Sequence, residues 1–186
     1  MAKATGLPVF IVDKSAQTGN SFGERLVHSI DVVFRQNYNA VIIIGNDCPQ
    51  LSTEILLKAA GELNHRELVL GPDRNGGVYL IGISASLFNA TIINAIPWQS
   101  KNVFLSLCSC VENIKTDATI LSILSDFNKL SDYYFFRNIL SPLHSFIKLI
   151  TAIIFSVTAQ SASTFSCRYN FIYFCIKQFR GPPAFC

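Results

Sequence analysis

The segment VIIIGNDCPQLS, residues 41–52, constrains the possible folds most strongly. It begins with an uninterrupted run of β-branched apolar residues, which is typical of a strand buried on both faces in the centre of a parallel sheet. Asn46 and Asp47 follow this run directly, ahead of the turn-forming Pro49. Because open α/β sheets bind ligands beyond the carboxyl ends of their strands, a carboxylate at this position predicts a ligand site.

Strand and helix patterns alternate along much of the remaining chain. Strands are predicted at 8–13, 40–45, 67–71, 77–83 and 119–124, and amphipathic helices at 21–37, 53–63 and 100–113. Ser52 is the predicted N-cap of the second helix. This alternation predicts a layered α/β domain with a mainly parallel sheet.

The composition changes after residue 134. Residues 149–167 carry no charged side chain, but the polar stretch TAQSAST interrupts a segment that would otherwise approach the roughly 20 apolar residues of a membrane-spanning helix. We therefore expect an α/β domain in residues 1–134 and an apolar helical extension in residues 135–186. The extension packs on the domain or rests on a membrane surface through residues 135–179, and a spanning helix is the less favoured alternative.

The overall composition argues against several classes of protein. A chain of 186 residues that is 50% hydrophobic and 15% charged can bury a core and is not typical of a disordered protein. Its net charge of +3 comes without a basic run, so a nucleic-acid partner is not expected. The six cysteines are scattered and no secretory signal opens the sequence, which favours reduced thiols and a cytoplasmic location.

Asp47 is the predicted metal ligand. Mg²⁺ or Mn²⁺ at such a site needs only one or two protein carboxylates, because water and phosphate oxygens complete the coordination shell. The alternative is that Asp47 caps a turn or the helix that begins near Ser52. Asp126, in SDFNKLSDY, is the candidate for a second carboxylate, whereas Asp132 is better explained as a solvated helix residue.

A second group of candidate residues surrounds the start of the first helix. Gln17 and Gly19 precede this helix, and Glu24 and Arg25 lie in its first turn. The free N–H groups of a helix start, together with Arg25, favour a bound anion. Glu24 has a simpler explanation, since a carboxylate in the first turn also complements the helix dipole.

A glycine pair and the only tryptophan complete the predicted site. Asn75, Gly76 and Gly77 form a segment in which backbone amides can approach a ligand closely, or else an ordinary hairpin turn. Trp98 could form a wall against a sugar or a base, and a position in the core or in a lid is the alternative.

Five motifs occur in a fixed order: QTGNSFGERL, VIIIGNDCPQL, LGPDRNGGVYLIG, IPWQS and LSDFNKLSDY. Together they resemble a small bacterial glycosyltransferase-like family, known as a domain of unknown function, whose members are similar to nucleotide-diphospho-sugar transferases of the GT-A type. The resemblance covers about residues 16–134. It implies a Rossmann-like GT-A sandwich in which Asp47 holds a cation against the diphosphate of a nucleotide-sugar donor.

The resemblance also implies roles for the other candidate residues. Asn46, Gly76 and Gly77 would position the donor sugar, Trp98 would border the acceptor, and Asp126 would act as a base or as a second metal ligand. The helix-start residues Gln17, Gly19, Glu24 and Arg25 would contribute to donor binding.

The sequence departs from the family pattern at several positions. Asn75 occupies a catalytic position where the family usually has Asp, and an amide cannot accept a proton or neutralise a cation. Asn128 replaces the second Asp of a D-x-D pair, and Ser100 replaces a Thr. Because Gln17 comes so early, we expect the chain to lack the family's N-terminal strand and basic nucleotide-binding loop.

Three functions are compatible with these observations. The first is metal-dependent transfer of a sugar from a nucleotide-diphospho-sugar to an unidentified acceptor. The second is nucleotidyl transfer on the same fold, although the glycine-rich basic loop that such enzymes use is not visible. The third is an inactive, truncated domain whose apolar C-terminal segment contacts a partner protein or a membrane.

Overall fold

The computed structural model describes residues 5–12, 16–45 and 48–125 and the backbone of residues 171–176. In these residues the chain forms one six-stranded sheet and four helices. Their order along the chain is β1 (Val9–Val12), α1 (Phe22–Phe34), β2 (Ala40–Ile44), α2 (Thr53–Glu62), β3 (Leu68–Pro72), β4 (Val78–Ser84), α3 (Ala90–Ala95), α4 (Val103–Ile114), β5 (Ala118–Ile120) and β6 (Phe171–Ile176). The predicted layered α/β fold is therefore confirmed, and α3 is an additional short helix.

The strand order is β1-β6-β2-β4-β3-β5, and in the described sheet only β3 and β5 pair in parallel. The prediction of a mainly parallel sheet was wrong, because the other four strand pairs of the described sheet are antiparallel. Strands β1, β2, β3 and β5 do run in one direction, as their connecting helices suggested. However, β4 lies between β2 and β3, and β6 lies between β1 and β2, and each runs opposite to both of its neighbours. The five-residue connection from β3 to β4 permits this, because antiparallel strands need no crossover.

Strand β2 is buried along its whole length, as its aliphatic sequence predicted. Val41 and Ile43 face a core cluster formed with α1, α3 and α4. Ala40, Ile42 and Ile44 face a second cluster formed with α2. Because successive side chains of a strand point to opposite faces, this run contributes to both layers of the domain.

The helix boundaries follow capping signals that are visible in the sequence. Ser52 is the N-cap of α2, and its hydroxyl accepts a hydrogen bond from the N–H of Ile55 at 3.3 Å, as predicted. Ser21 caps α1 in the same way, accepting from the N–H of Glu24 at 3.1 Å. Each cap satisfies one of the N–H groups that a helix start leaves without an intrahelical partner.

A β-bulge shapes the pairing of β3 with β4. Gly71 pairs with Leu80 and Pro72 pairs with Val78, which leaves Tyr79 as the extra residue on β4. The ring of Tyr79 is buried beside Gly71, where a Cβ would lie only 2.5 Å from the ring carbon Cζ. The phenol O–H donates to the carbonyl oxygen of Ser122 at 3.0 Å. The Gly-Pro and Tyr-Leu portions of the third motif are thus in direct contact.

The segment predicted as an apolar helical extension, residues 135–186, contributes a strand instead at residues 171–176. This strand, β6, is hydrogen-bonded to both β1 and β2, and long-range pairing of this kind leaves no periodic signal in a short apolar segment. The remaining residues of the predicted extension lie outside the described residues. Among those that are described, no helix combines the length and the apolar character needed to cross a membrane.

The Gly71–Tyr79 contact leads to a stability prediction. Gly71→Ala places a methyl group against the buried ring and should lower the free energy of unfolding by about 1–3 kcal/mol, the usual cost of overpacking. The matched control is Gly61→Ala in α2, where an added Cβ meets no heavy atom within 4 Å. That change should raise stability by about 0.5–1 kcal/mol. Urea unfolding measures the free energy of unfolding of both variants, and equal effects of the two substitutions would contradict the close packing of Gly71 against Tyr79.

Candidate functional site

A cavity of about 360 Å³ lies at the carboxyl ends of β2 and β3, the edge of the sheet that the sequence predicted. Gly45 follows β2 at this edge, and Asp73 follows β3. The cavity is enclosed by the ends of β2 and β4, the β3–β4 loop, the first turns of α1 and the connection from α3 to α4. Its lining residues are Phe22, Leu26, Ile43, Gly45, Asp73, Asn75, Gly77, Val78, Tyr79, Leu80, Ile81, Trp98, Gln99, Ser100, Lys101 and Val103.

The β3–β4 loop, residues 73–77, is held by Asp73. One carboxylate oxygen, Oδ1, accepts hydrogen bonds from the backbone N–H groups of Asn75 and Gly77, the latter at 3.1 Å. Asn75 and Gly77, both predicted site residues, therefore lie at the cavity in a turn that Asp73 closes.

Gly76 has a structural reason to be glycine. Its φ is +87°, and a Cβ there would overlap the backbone carbonyl of Lys101. Its own carbonyl oxygen accepts from the N–H of Phe104 at 3.0 Å, which fixes the loop to the start of α4. Gly76 is not among the residues that line the cavity, so the hairpin-turn explanation accounts for it without a ligand.

Asp73 and Lys101 are cavity residues that the sequence analysis missed. In the third motif, Asp73 lies between Gly71-Pro72 and the glycine pair Gly76-Gly77. Its signal was available, because an Asp that opens a loop after a strand commonly accepts a hydrogen bond from the backbone two residues on. Lys101 has no comparable sequence signal, since it lies in a connection whose path depends on the packing of α3 and α4.

The predicted helix-start residues form a closed local structure. The Oε2 atom of Glu24 accepts from the N–H groups of Asn20 at 2.7 Å and Ser21 at 3.4 Å, which completes a capping box. Arg25 places Nη1 at 3.5 Å from the carbonyl oxygens of Gly19 and Asn20. The carboxylate of Glu24 thus engages the N–H groups of the N-cap residue and of the residue before it.

The loop before α1 is shaped by the same residues. Gly19 has a φ of +135°, and a Cβ there would lie 2.7 Å from the Cβ of Glu24. The side-chain amide of Gln17 donates to the carbonyl oxygen of Val12 at 3.4 Å. None of the residues Gln17, Gly19, Glu24 and Arg25 lines the cavity, whereas Phe22 and Leu26 of the same helix do.

Trp98 is half-buried and forms one wall of the cavity. Its indole N–H donates to the carbonyl oxygen of Ile93 at 2.8 Å, and its ring lies 5.4 Å from that of Phe22 between centroids. Gly23 allows this approach, since a Cβ there would lie 3.1 Å from Cδ1 of the indole. The next residue, Gln99, has a φ of +63°, which is uncommon for a residue other than glycine. The first and fourth motifs are therefore packed together at the cavity.

Three predicted site residues, Asn46, Asp47 and Asp126, lie outside the described residues. Cys48, which follows Asp47, and Ser125, which precedes Asp126, are described, and contacts at these two residues join the second motif to the fifth. The thiol of Cys48 lies 3.8 Å from the carbonyl oxygen of Ser125, and the N–H of Ser125 donates to Oε1 of Gln50 at 2.8 Å. Within the part of the chain that the structure describes, no three His, Cys, Asp or Glu side chains are grouped as metal ligands.

The fifth motif also meets the third beside the cavity loop. Leu124 forms a bridge with Asp73, donating its N–H to the carbonyl of Pro72 at 3.2 Å and accepting from the N–H of Arg74 at 3.1 Å. The described parts of all five motifs therefore converge on the carboxyl edge of β2 and β3. This arrangement of motifs, rather than any single residue, defines the candidate site.

Residues 10–100 match the DUF2064 family, described as an uncharacterized protein conserved in bacteria. This match includes the first four motifs and confirms that this part of the chain resembles a bacterial domain family of unknown function. No curated protein sequence matches the chain significantly.

A solved structure similar to this chain is that of a "putative nucleotide-diphospho-sugar transferase" from Desulfovibrio desulfuricans G20. The two share 25% sequence identity and superpose with a TM-score of 0.62 over 69% of this chain and 56% of that one. The chain thus spans little more than half the length of this relative. The similarity supports a glycosyltransferase-like fold for the DUF2064 segment and its surroundings.

The role of Asp73 in the DUF2064 segment can be tested by substitution. Asp73→Ala removes the acceptor of two backbone hydrogen bonds and should lower the free energy of unfolding by about 1–3 kcal/mol. Asp73→Asn keeps one acceptor oxygen and should lose less. The control is Asp31→Ala, which breaks an exposed i,i+4 ion pair with Arg35 that contributes about 0.3–0.5 kcal/mol. Urea unfolding would refute this role if Asp73→Ala cost no more than the control.

Tyr79 makes stability depend on alkaline pH. Burial, reinforced by nearby Cys48, raises the pKa of Tyr79 from 10.0 to about 12. As the pH rises, the phenol of Tyr79 therefore loses its proton at a lower pH in the unfolded chain than in the folded one. The stability that the buried, protonated phenol contributes is fully present below pH 10 and is lost between about pH 10 and 12. In that window Tyr79 should lower the free energy of unfolding by up to about 1.4 kcal/mol per pH unit. Unfolding of the wild type and Tyr79→Phe across this range measures the effect, and parallel pH profiles would rule it out.

Proposed function

We propose that the chain acts as a nucleotide-diphospho-sugar transferase, moving a sugar from such a donor to an acceptor with the help of a divalent cation. The supporting observation is the cavity at the carboxyl edge of β2 and β3, on which the five motifs converge. The name of the similar solved structure points to the same class of reaction. Binding at this edge is also the general behaviour of open α/β sheets.

Asp47 is the proposed ligand of the cation, with Asp126 as the second carboxylate. These two positions adjoin Cys48 and Ser125, which contact each other, so the two loops that carry the carboxylates are neighbours. The carboxylates suit Mg²⁺ or Mn²⁺, which prefer oxygen ligands and need few of them from the protein. When bound, such a cation would offset the negative charge that develops on the diphosphate leaving group.

The remaining roles belong to residues around the cavity. Asn46 and the backbone of Gly77 would orient the donor sugar, while Gly76 holds the loop against Lys101. Asp126 would receive the proton of the acceptor hydroxyl if it does not bind the cation. Asn75, at the exposed rim, can donate and accept hydrogen bonds but cannot act as a base. Trp98 would form the wall on the acceptor side.

Donor binding tests the proposal directly. Calorimetric titration with UDP-glucose and with GDP-mannose should show saturable binding of at least one of them that depends on Mn²⁺. Asp47→Ala should weaken this binding by at least about tenfold, equivalent to about 1.4 kcal/mol. The control is Asp117→Ala, because Asp117 is exposed, pairs with Arg66 and precedes β5 at the opposite edge of the sheet.

Two results would contradict the proposed function. One is donor binding that Asp47→Ala and Asp117→Ala affect equally. The other is the absence of donor binding together with turnover of a nucleoside triphosphate and a sugar phosphate, which would establish nucleotidyl transfer instead.

A further inference from the structure

The interior of the cavity is apolar. Phe22 and Trp98 form a tilted pair of rings at its side, with an angle of 37° between their planes. The inner wall consists of side chains that are between 2% and 6% exposed, namely Leu26, Ile43, Ile81 and Val103. The two charged residues of the lining, Asp73 and Lys101, are half-buried and exposed, respectively, and belong to the rim.

Several polar groups beside this interior already have partners within the protein. The indole N–H of Trp98 is donated to Ile93, and the hydroxyl of Ser100 donates to the carbonyl oxygen of Pro97 at 2.6 Å. The backbones of β2 and β4 are paired with each other along this wall. A sugar ring placed inside would bury hydroxyl groups without replacing their hydrogen bonds to water, which is unfavourable. An apolar body would lose no hydrogen bonds there.

We infer that this cavity binds the apolar body of the acceptor, a small alcohol whose body is an aromatic ring or a branched or cyclic alkyl group. A volume of about 360 Å³ lies near the lower end of the range for ligand sites, so the ligand is small. The hydroxyl group stays at the polar rim formed by Asn75 and Lys101. The identification of this ligand as an acceptor rests on the proposed function.

The transfer step follows from this placement. The hydroxyl oxygen of the alcohol forms a bond to the anomeric carbon of the donor sugar while the bond from that carbon to the diphosphate oxygen breaks. The nucleoside diphosphate leaves with the bonding electron pair, and the hydroxyl proton passes to water at the exposed rim. The products are a glycoside of the alcohol and a nucleoside diphosphate.

Trp98 makes binding to the cavity directly observable. It is the only tryptophan of the chain, so tryptophan emission reports on this wall alone. Titration with 2-phenylethanol and with cyclohexylmethanol, without donor or metal, should change the emission in a saturable way, whereas glucose should not. Because neither probe needs a donor, failure of donor binding does not affect this result.

A cavity-filling variant locates the binding. Val78 is half-buried and lines the cavity, so Val78→Phe should fill part of it and weaken binding of both alcohols by at least about tenfold. Val32→Phe is the matched control, because Val32 is 43% exposed on α1 and does not line the cavity. Circular dichroism and thermal unfolding establish that both variants are folded, and Val103→Phe provides a second filling variant should Val78→Phe unfold.

Several outcomes would overturn the inference. Saturable binding of glucose without binding of the alcohols would show that the cavity accepts a sugar instead. The absence of any saturable response, or equal binding by the Val78→Phe and Val32→Phe variants, would show that the cavity is not an alcohol site. With UDP-glucose or GDP-mannose and Mn²⁺ added, formation of the alcohol glycoside supports the acceptor role. Alcohol binding combined with silent donor titrations would refute the proposed function and leave the binding site established.

Discussion

The pairing of β4 with both β2 and β3 is the interaction on which the rest of the structure depends. It joins the two strands that point toward the candidate site and places the β3–β4 loop beside the end of β2. The bulge at Tyr79 adds a residue to β4, so both Tyr79 and Leu80 pack into the cluster that contains α2, while Ile81 packs into the cluster formed with α1, α3 and α4. Without this inserted strand, the sheet edge would have neither the loop nor the inner wall that form the cavity.

The motifs are best understood as pairs of contacting segments. Gly23 lets Trp98 approach α1, Gly76 lets the β3–β4 loop approach Lys101, and the contact of Cys48 with Ser125 joins two loops that are 77 residues apart in sequence. Gly23 and Gly76 are glycines because a Cβ at either position would meet atoms of the partner segment. Several residues that suggest ligand binding in the sequence therefore have a structural function, which Gly19, Glu24 and Arg25 illustrate at the start of α1.

The sequence predicted those parts of the fold that short-range patterns determine. The aliphatic run before Asn46 indicated a strand buried on both faces, and Ser52 indicated the start of α2, because strand burial and helix capping act over a few residues. The antiparallel insertion of β4 and the return of the chain at β6 depend on contacts between distant segments, which composition and periodicity do not record. For the site, three of the residues that the sequence predicted, Asn75, Gly77 and Trp98, line the cavity, and their roles stay predictions. Asp73 was missed although an Asp that opens a loop is a recognisable signal, because that signal indicates a turn and not a cavity.

In the proposed reaction, the cavity and the loops that carry Asp47 and Asp126 have separate roles. In the inferred complex, shape and apolar contact would determine what fits inside, because the indole of Trp98, the hydroxyl of Ser100 and the paired backbones of β2 and β4 already have hydrogen-bond partners. The two charged residues of the cavity lining, Asp73 and Lys101, lie at the rim. An apolar body held in the interior would bring its polar end to this charged edge, where the proposed sugar transfer would take place. Strand β2 therefore connects the buried core with the proposed reaction. Its residue Ile43 lines the cavity, and its carboxyl end leads into the loop that carries Asp47.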